Sequence, residues 1–221
     1  MAETAAATKP TLTYFKLHAK GDSIRMMLHH KGIEFVDNSF GFEEWGALKA
    51  SGKCPAGQVP IWEEQDGRVL SQQTAIMRHI GRQNGYYPQD DLTEAFNIDW
   101  AIETFSDLWT TGFYRLFLFP EAEHGEKHAK ALVDFTKFNN LIEGKLTEVG
   151  ANFFAGNRIT IADFVIFSVY LSNVLNEAAE ETTLRDQFAA ALESTPKVRE
   201  YIERMKAENA SFLAVRGAFK G

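Results

Sequence analysis

The chain has 221 residues, 45% of them hydrophobic, and a formal net charge of -7 at pH 7. This length and apolar content can bury one large core or two small ones, whereas the acidic balance argues against nucleic acid or an anionic membrane surface as the main partner. The single cysteine, Cys54, excludes an internal disulfide and is typical of a reducing cytoplasm.

No apolar run approaches the roughly 20 residues that span a bilayer. Residues 1–10 are rich in Ala and Thr. They lack the basic start and the apolar centre of a secretion signal, so we expect a flexible leader there.

The first half alternates short extended and helical patterns. Its β-branched and aromatic residues favour strands, and Gly32 is placed to end the first helix in the left-handed conformation. The first two strands should be parallel because a helix connects them. The predicted elements are a strand at Thr11–Phe15, a helix from Asp22 or Ser23 to about His30, a strand at Ile33–Val36 and a short helix at Phe42–Lys49.

The segment that follows predicts a hairpin and a helix. Two apolar runs flank the turn pair Asp66-Gly67, which is a strong hairpin signal. Ser71 is placed to cap a helix that begins near Gln72, and a helix N-terminus attracts anions such as carboxylates. The predicted strands are Val59–Trp62 and Arg68–Leu70.

Pro60 restricts how the first of these strands can pair. Proline has no N–H to donate, so its run should form an edge strand or hold a special turn, including a cis one. In a cis Val59-Pro60 arrangement, the Val59 backbone would turn outward and could pair with a bound peptide. These features predict a site for a small, charged, peptide-like molecule.

The order β-α-β-α-β-β-α up to residue 86 is typical of thioredoxin-like domains, an argument by analogy. Redox members of that fold usually carry Cys-x-x-Cys at the end of the first strand. This chain has Phe15-Lys16-Leu17 there. We therefore expect no disulfide exchange and no role for Cys54.

The second half is predicted to be helical throughout. Gly, Pro and charged residues indicate a linker at residues 87–92, and Thr160 with Asp163 resembles a capping box before a helix that is apolar on nearly all sides. The predicted helices are Thr93–Phe119, Lys127–Val149, Ile161 to about Asn176, Thr183–Leu192 and Pro196–Lys206. The chain is thus an α/β thioredoxin-like domain, residues 11–86, followed by an all-α helical bundle, residues 93–221.

Four motifs, LTYF, VPI, SQQTAI and ITIADF, occur in this order. Together they resemble the cytosolic glutathione transferases, nearest the sigma class, which includes the haematopoietic prostaglandin D synthases. The resemblance extends from Leu12 to about Lys206. It implies a cytoplasmic homodimer that uses glutathione as co-substrate, holds no metal and serves in detoxification.

By resemblance, Tyr14 is the catalytic residue. A free thiol with a pKa near 8.5 is only about 3% thiolate at pH 7, and the thiolate is the nucleophile. Lowering that pKa by roughly 2 units takes about 3 kcal/mol, and one hydrogen bond to a charged group contributes roughly 1.5–3 kcal/mol. One tyrosine hydroxyl could supply most of this effect. The residues alone also allow an ordinary strand aromatic.

The resemblance also assigns the glutathione contacts. Gln72 would bind the γ-glutamyl group, and Gln73 stands where the family usually has Ser or Thr. Gln58 stands where the family has a lysine, and this change should weaken the contact with the glycyl carboxylate by roughly 1 kcal/mol or more. The full predicted set is Tyr14, Trp45, Gln58, Val59, Pro60, Gln72 and Gln73.

Asp107 would reach across the two-fold axis of the dimer. By resemblance, it pairs with the γ-glutamyl amine bound to the neighbouring subunit, because a partly buried ammonium needs an anionic partner. A solvated helix carboxylate is the alternative. Some prostaglandin-synthase relatives bind a divalent ion with an acidic cluster here. This chain has Glu103, Ser106 and Asp107, so the cluster is incomplete and no metal is expected.

The electrophile should occupy an apolar crevice between the two halves. Phe15, Trp109 and Phe113 are the candidate wall residues, although each could equally be core. In the implied reaction, the glutathione thiolate attacks an apolar electrophile. The alternatives are a glutathione-dependent prostaglandin-H D-isomerase and a non-catalytic crystallin-like or carrier protein of the same fold.

Overall fold

The computed structural model describes residues 9–111, 124–178 and 182–218. Most of the predicted leader, residues 1–10, therefore lies outside the described residues. The same is true of Phe113 and of the last part of the predicted helix Thr93–Phe119.

Four strands form one mixed sheet in the described part of the chain. They are β1 (Thr11–Phe15), β2 (Val36–Phe40), β3 (Ile61–Glu63) and β4 (Val69–Ser71). The strand order is β2-β1-β3-β4. β1 pairs in parallel with β2 and antiparallel with β3, and β3 and β4 form the predicted hairpin.

Two strand predictions need correction. The second strand begins at Val36 and not at Ile33. It includes the polar residues 37–39 because Asp37 and Ser39 accept hydrogen bonds from the buried Arg25. β3 begins at Ile61 and not at Val59, and it lies between β1 and β4, so of the two alternatives predicted for the Pro60 run the edge strand is wrong. The other alternative, a special turn, is confirmed: Pro60 precedes the ladder, and the Val59-Pro60 peptide bond is cis.

The helices of the first half are α1 (Ala19–Lys31), α2 (Trp45–Ala50) and α3 (Gln73–Asn84). α1 begins at Ala19, so the predicted caps at Asp22 or Ser23 are wrong; it ends at Gly32 in the left-handed conformation, as predicted. Ser71 closes β4, and Gln72 occupies the position before α3 without a side-chain cap. The prediction that Ser71 caps this helix is therefore wrong.

The described second half is helical, as predicted. Its helices are α4 (Leu92–Thr110), α5 (His124–Val149), α6 (Ile161–Asn173), α7 (Thr182–Ala191), α8 (Pro196–Glu208) and α9 (Ala210–Val215). α6 is buried from Ile161 to Leu171 and packs against both α1 and α4, which confirms its central position. In the described ranges, no helix is long and apolar enough to cross a membrane.

The two halves meet where α3 ends and α6 begins. The backbone N–H of Ile161 donates to the carbonyl of Tyr86 at 3.0 Å. A Cβ added to Gly81 would lie 2.7 Å from the Ile161 side chain, so glycine permits the close approach. These contacts, with the packing of α6 on α1, hold the sheet domain against the helical bundle.

Asp163 caps α6 from inside the core. Its carboxylate is fully buried and accepts hydrogen bonds from the N–H and hydroxyl of Thr160 at 2.7 and 2.9 Å. Burial raises the pKa of Asp163 to about 7, although the hydrogen bonds from Thr160 and Phe154 oppose that shift. The predicted capping box is present.

We expect Asp163→Ala to lower the free energy of unfolding by about 2–4 kcal/mol, because it leaves buried N–H and O–H groups unpaired. Asp163→Asn should cost less, since an amide oxygen still accepts. A raised pKa favours the folded wild type below pH 4, and this advantage disappears as the pH rises through 7. In urea titrations at several pH values, the difference in unfolding free energy between the wild type and Asp163→Asn should therefore shrink as the pH rises. Asp186→Ala, at an exposed position, is the control, and an equal loss of unfolding free energy in this variant would contradict the role of Asp163.

A buried ion cluster joins the end of the chain to α1. Asp22 is 1% exposed and accepts hydrogen bonds from His18 at 3.0 Å, Arg25 at 3.0 Å and Arg216 at 2.9 Å. Burial alone would raise the pKa of Asp22, but the hydrogen bond from His18 and the charges of Arg216 and Arg25 hold it below its usual value. Arg216 follows α9 directly, so this pair anchors the C-terminal segment.

Arg216→Met should lower the free energy of unfolding by about 3 kcal/mol at neutral pH, because it removes one cation from a buried carboxylate. The loss should shrink as the pH falls, since the depressed pKa of Asp22 stabilises the fold only while the group is ionised. Urea denaturation measures both effects. Arg185→Met is the matched control: its pair with Asp186 is at the surface, and a change within about 0.5 kcal/mol is expected. Equal losses in the two variants would contradict the anchoring role.

Candidate active site

A cavity of about 350 Å³ lies between the two halves of the chain. β1, the start of α1 and the turn before β3 line one side, and α4 and α6 line the other. Ligands favour such crevices, so this cavity is the candidate active site. Among its lining residues are six predicted site residues: Tyr14, Phe15, Trp45, Gln58, Val59 and Trp109.

Tyr14 lies near the end of β1 and is 5% exposed. Its ring packs directly on Gly21 of α1, where an added Cβ would lie 2.4 Å from the ring carbon Cδ1. The guanidinium of Arg25 lies 5.9 Å from the ring centroid. The ring therefore has little freedom to move, and the residue lines the same cavity as Val59.

Burial raises the pKa of Tyr14 well above its usual value. A hydrogen bond from the backbone N–H of Lys20 and the charge of Arg25 oppose this shift without cancelling it, and Asp22 adds to it. The phenol is therefore protonated at neutral pH. A phenol that keeps its proton can donate it to an acceptor in the cavity.

The turn before β3 contributes backbone as well as side chains. Gln58 is exposed, Val59 is half-buried and the peptide bond to Pro60 is cis. Neither the N–H nor the C=O of Val59 bonds to another backbone group in the described ranges. A donor and an acceptor are thus available to an extended ligand beside Tyr14.

Two glutamines stand at the start of α3. Gln72 is exposed and has φ 73° and ψ 111°, a conformation that costs a non-glycine residue of the order of 1–3 kcal/mol and is enriched at functional sites. Gln73 is buried, and its amide donates to the hydroxyl of Ser23 at 2.7 Å. The side chain of Gln73 therefore joins α3 to α1, and its backbone remains at the helix N-terminus.

Asp107 is exposed on α4 and does not line the cavity of its own chain. Glu103 lies one turn away on the same face, 3.8 Å from Arg78, which also pairs with Asp99 at 2.9 Å. Residues 9–111, 124–178 and 182–218 contain no group of three His, Cys, Asp or Glu side chains placed to hold a metal ion.

Four polar lining residues, Lys20, Ser168, Ser172 and Asn173, were missed by the sequence interpretation. Lys20 was placed in a loop, but it belongs to α1 and enters the cavity wall. Ser172 and Asn173 line the cavity at the end of α6. The apolar pattern of that helix drew attention to the core, although these two residues interrupt the pattern and could have marked an open end.

Comparisons with known proteins agree with this geometry. Residues 109–209 match the glutathione S-transferase C-terminal domain family. Glutathione S-transferase 1 of Ascaris suum is 34% identical over 160 residues, which cover 70% of this chain and 75% of the relative. The bovine glutathione S-transferase P is 29% identical over 198 residues, 87% of this chain and 90% of the relative.

Two solved structures share the fold. The glutathione S-transferase from Ascaris lumbricoides superposes with a TM-score of 0.78 at 30% identity, over 96% of this chain and 98% of the other. The prostaglandin synthase D of Nilaparvata lugens superposes with a TM-score of 0.76 over 95% of this chain and 98% of the other, and at 22% identity this shows the fold alone.

The comparisons confirm the thioredoxin-like domain and helical bundle, whereas the sigma class remains a prediction. The sequence is more than 30% identical to the Ascaris suum transferase over three quarters of that relative, and the fold matches the Ascaris lumbricoides structure over nearly the whole chain. This chain belongs to the glutathione S-transferase family and is a transferase enzyme of that type.

Proposed function

We propose that the protein, a transferase resembling the sigma class, uses Tyr14 to stabilise the glutathione thiolate for attack on an apolar electrophile. The observation that carries the proposal is the environment of the phenol. Burial keeps Tyr14 protonated, and Tyr14 lines the same cavity as the unpaired backbone of Val59. A protonated phenol is a donor and favours an anion beside it.

Glutathione would lie along the turn before β3 and the start of α3. The backbone of Val59 would pair with the cysteinyl unit, Gln72 would hold the γ-glutamyl group, and the N-terminus of α3 would attract its carboxylate. Trp45 and Gln58 would contact the glycyl end. Gln73 would contribute its backbone N–H, because its side-chain amide already bonds to Ser23.

The reaction follows from this placement. The thiol gives up its proton to water or buffer, and the phenolic O–H of Tyr14 donates to the resulting thiolate. A sulfur lone pair forms the bond to the electrophilic carbon, while the bonding pair of the departing group leaves with that group. Phe15 and Trp109 supply apolar walls that hold the electrophile near the sulfur, so a bimolecular reaction becomes an oriented one.

The finer biological assignments belong to the same proposal. We expect a cytoplasmic homodimer that acts in detoxification and requires no metal. Asp107, exposed on α4, would pair with the γ-glutamyl amine bound to the partner subunit. A carboxylate is suited to that role because it neutralises an ammonium that is partly removed from water.

Tyr14→Phe should lower the second-order rate constant for a chlorodinitrobenzene-type electrophile about 20-fold at pH 7, because a thiol pKa near 8.5 in place of 6.5 cuts the thiolate fraction by that factor. The deficit should shrink above pH 9, where the thiol ionises without help. The pH–rate profile measures this, with Tyr87→Phe, whose hydroxyl bonds Asp99 outside the cavity, as control. Undiminished turnover by Tyr14→Phe at pH 7 would refute the mechanism.

Asp107→Asn should raise the KM for glutathione about fivefold to tenfold and leave kcat nearly unchanged, since the lost ion pair holds the substrate and not the reacting atoms. Sedimentation should give twice the mass of one chain for both proteins. Asp186→Asn, on the exposed face of α7, is the control and should change neither value. A monomer with full glutathione affinity would contradict the role of Asp107.

Two features favour a second candidate, a carrier or crystallin-like protein with weakened glutathione binding. Gln58 stands where the family has a lysine, and the Gln73 amide is already bonded to Ser23. Retention on immobilised glutathione, combined with the turnover assay, separates the candidates. Retention without turnover would favour the carrier. Conversion of a prostaglandin endoperoxide to its D isomer would favour the isomerase.

A further inference from the structure

A second cavity, of about 460 Å³, lies at the other end of the sheet from the candidate active site. It is lined by the start of β1, the end of β3, the turn of the β3–β4 hairpin and the end of α3, and we call it the hairpin cavity. Its described wall shares no residue with that of the first cavity. Pro10 lines the hairpin cavity and Phe15 the first one, so β1, at about 3.3 Å per residue, separates these walls by roughly 15 Å.

The wall of the hairpin cavity contains a buried donor with no acceptor. Trp62 is 3% exposed, and its Nε1–H has no hydrogen-bond partner in the described ranges. The residue pairs with Leu12 and Leu70 in the sheet, and its ring packs against Phe35 with 6.4 Å between the ring centroids, so the indole is held in place. Unpaired buried donors are rare because they lose hydration without a replacement. A ligand in the cavity could supply the missing acceptor.

Two carboxylates, Glu64 and Asp66, belong to the same wall. The hairpin turn fixes their backbone, since the N–H of Glu64 donates to the carbonyl of Arg68 at 2.9 Å. One oxygen of each carboxylate has a protein partner: Oε1 of Glu64 lies 2.9 Å from Nε2 of His79, and Oδ1 of Asp66 accepts from the N–H of Arg68 at 2.9 Å. Within the described ranges, the second oxygen of each accepts no hydrogen bond.

Charge and apolar surface together define what fits this cavity. No Lys or Arg side chain belongs to the part of the wall that the structure describes, so the two carboxylates give it a negative fixed charge. Such a wall attracts a cation. Pro10, Ile33 and Ile80 add apolar surface, which favours a ligand with an apolar body. The volume is in the range typical of small-molecule sites.

We propose that the hairpin cavity binds a small organic cation that combines a protonated amine, an apolar ring and a carbonyl oxygen. The ammonium pairs with the second oxygens of Glu64 and Asp66, and the carbonyl accepts the hydrogen bond from Nε1 of Trp62. The ring covers the apolar part of the wall. This site is separate from the candidate active site and does not depend on the proposed transferase function.

The first test uses para-(aminomethyl)benzamide and the indole N–H signals of the four tryptophans in the full chain. In proton–nitrogen correlation spectra, this probe should move the Trp62 signal downfield and saturably, because its N–H gains an acceptor. The signals of Trp45 and Trp109, which line the first cavity, should stay in place. Tryptophan-to-phenylalanine variants at Trp45, Trp100 and Trp109 assign the Trp62 signal by elimination, even if Trp62→Phe does not fold.

Two spectroscopic outcomes would overturn the proposal. One is the absence of a saturable Trp62 shift up to about 10 mM probe, which means no useful affinity. The other is a shift confined to Trp45 or Trp109, which would place the probe in the first cavity.

Matched ligands then separate the two polar contacts. The N-acetylated probe lacks the cation, and para-methylbenzylamine lacks the carbonyl. Each should bind about fivefold more weakly than the probe, and para-methylbenzylamine should not move the Trp62 signal downfield. Equal dissociation constants for the probe and its N-acetyl derivative would overturn the proposal, because the carboxylates would then contribute nothing.

Variants of the wall test the same contacts from the protein side. Asp66→Asn and Glu64→Gln should each weaken binding of the probe about fivefold and change binding of the N-acetyl derivative less than about twofold, because only the probe carries a charge. Glu63→Gln, at an exposed position outside the described wall, is the control and should change neither. Unchanged affinity in both wall variants, or an equal loss in Glu63→Gln, would contradict the proposed site.

Discussion

The buried carboxylate of Asp22 is the interaction on which the candidate site depends. It binds His18 before α1, Arg25 within α1 and Arg216 after α9, and it therefore joins the start of one helix to the end of the chain. The first turn of α1 carries Gly21, whose lack of a side chain admits the ring of Tyr14. Breaking a buried ion pair leaves an uncompensated charge, so the cluster keeps this turn in one position.

Desolvation acts in opposite ways on the Tyr14 phenol and the Lys20 ammonium, which line the same cavity. A neutral phenol is favoured by burial, so Tyr14 keeps its proton at neutral pH. An ammonium is disfavoured by the same burial, so Lys20 gains from an anionic partner. One cavity thus combines a protonated phenol with a half-buried ammonium.

Much of the fold could be predicted because its signals are local. Asp66-Gly67 marked the hairpin, Gly32 marked a helix end, and Thr160 with Asp163 marked the start of the central helix. The errors occurred where a distant partner overrides local propensity. Polar residues 37–39 lie in β2, where Asp37 and Ser39 accept hydrogen bonds from buried Arg25. The short helix α9, only six residues long, gave no pattern strong enough to predict.

The features of the candidate site also divide into those that the local sequence indicates and those that tertiary contacts decide. Residue types and spacing were enough to indicate the two halves and an anion-attracting helix start, because each depends on neighbours in the sequence. The choice of Tyr14 as a site residue came from the resemblance to the family. Three other contacts depend on segments that lie up to about 150 residues apart in the sequence. They are the hydrogen bond from the Gln73 amide to Ser23, the approach of Lys20 to Trp109, and the contact of Ser172, at the end of α6, with Ala19. Only the way in which α1 meets α3, α4 and α6 decided these contacts, because side-chain partners and burial arise when distant surfaces meet.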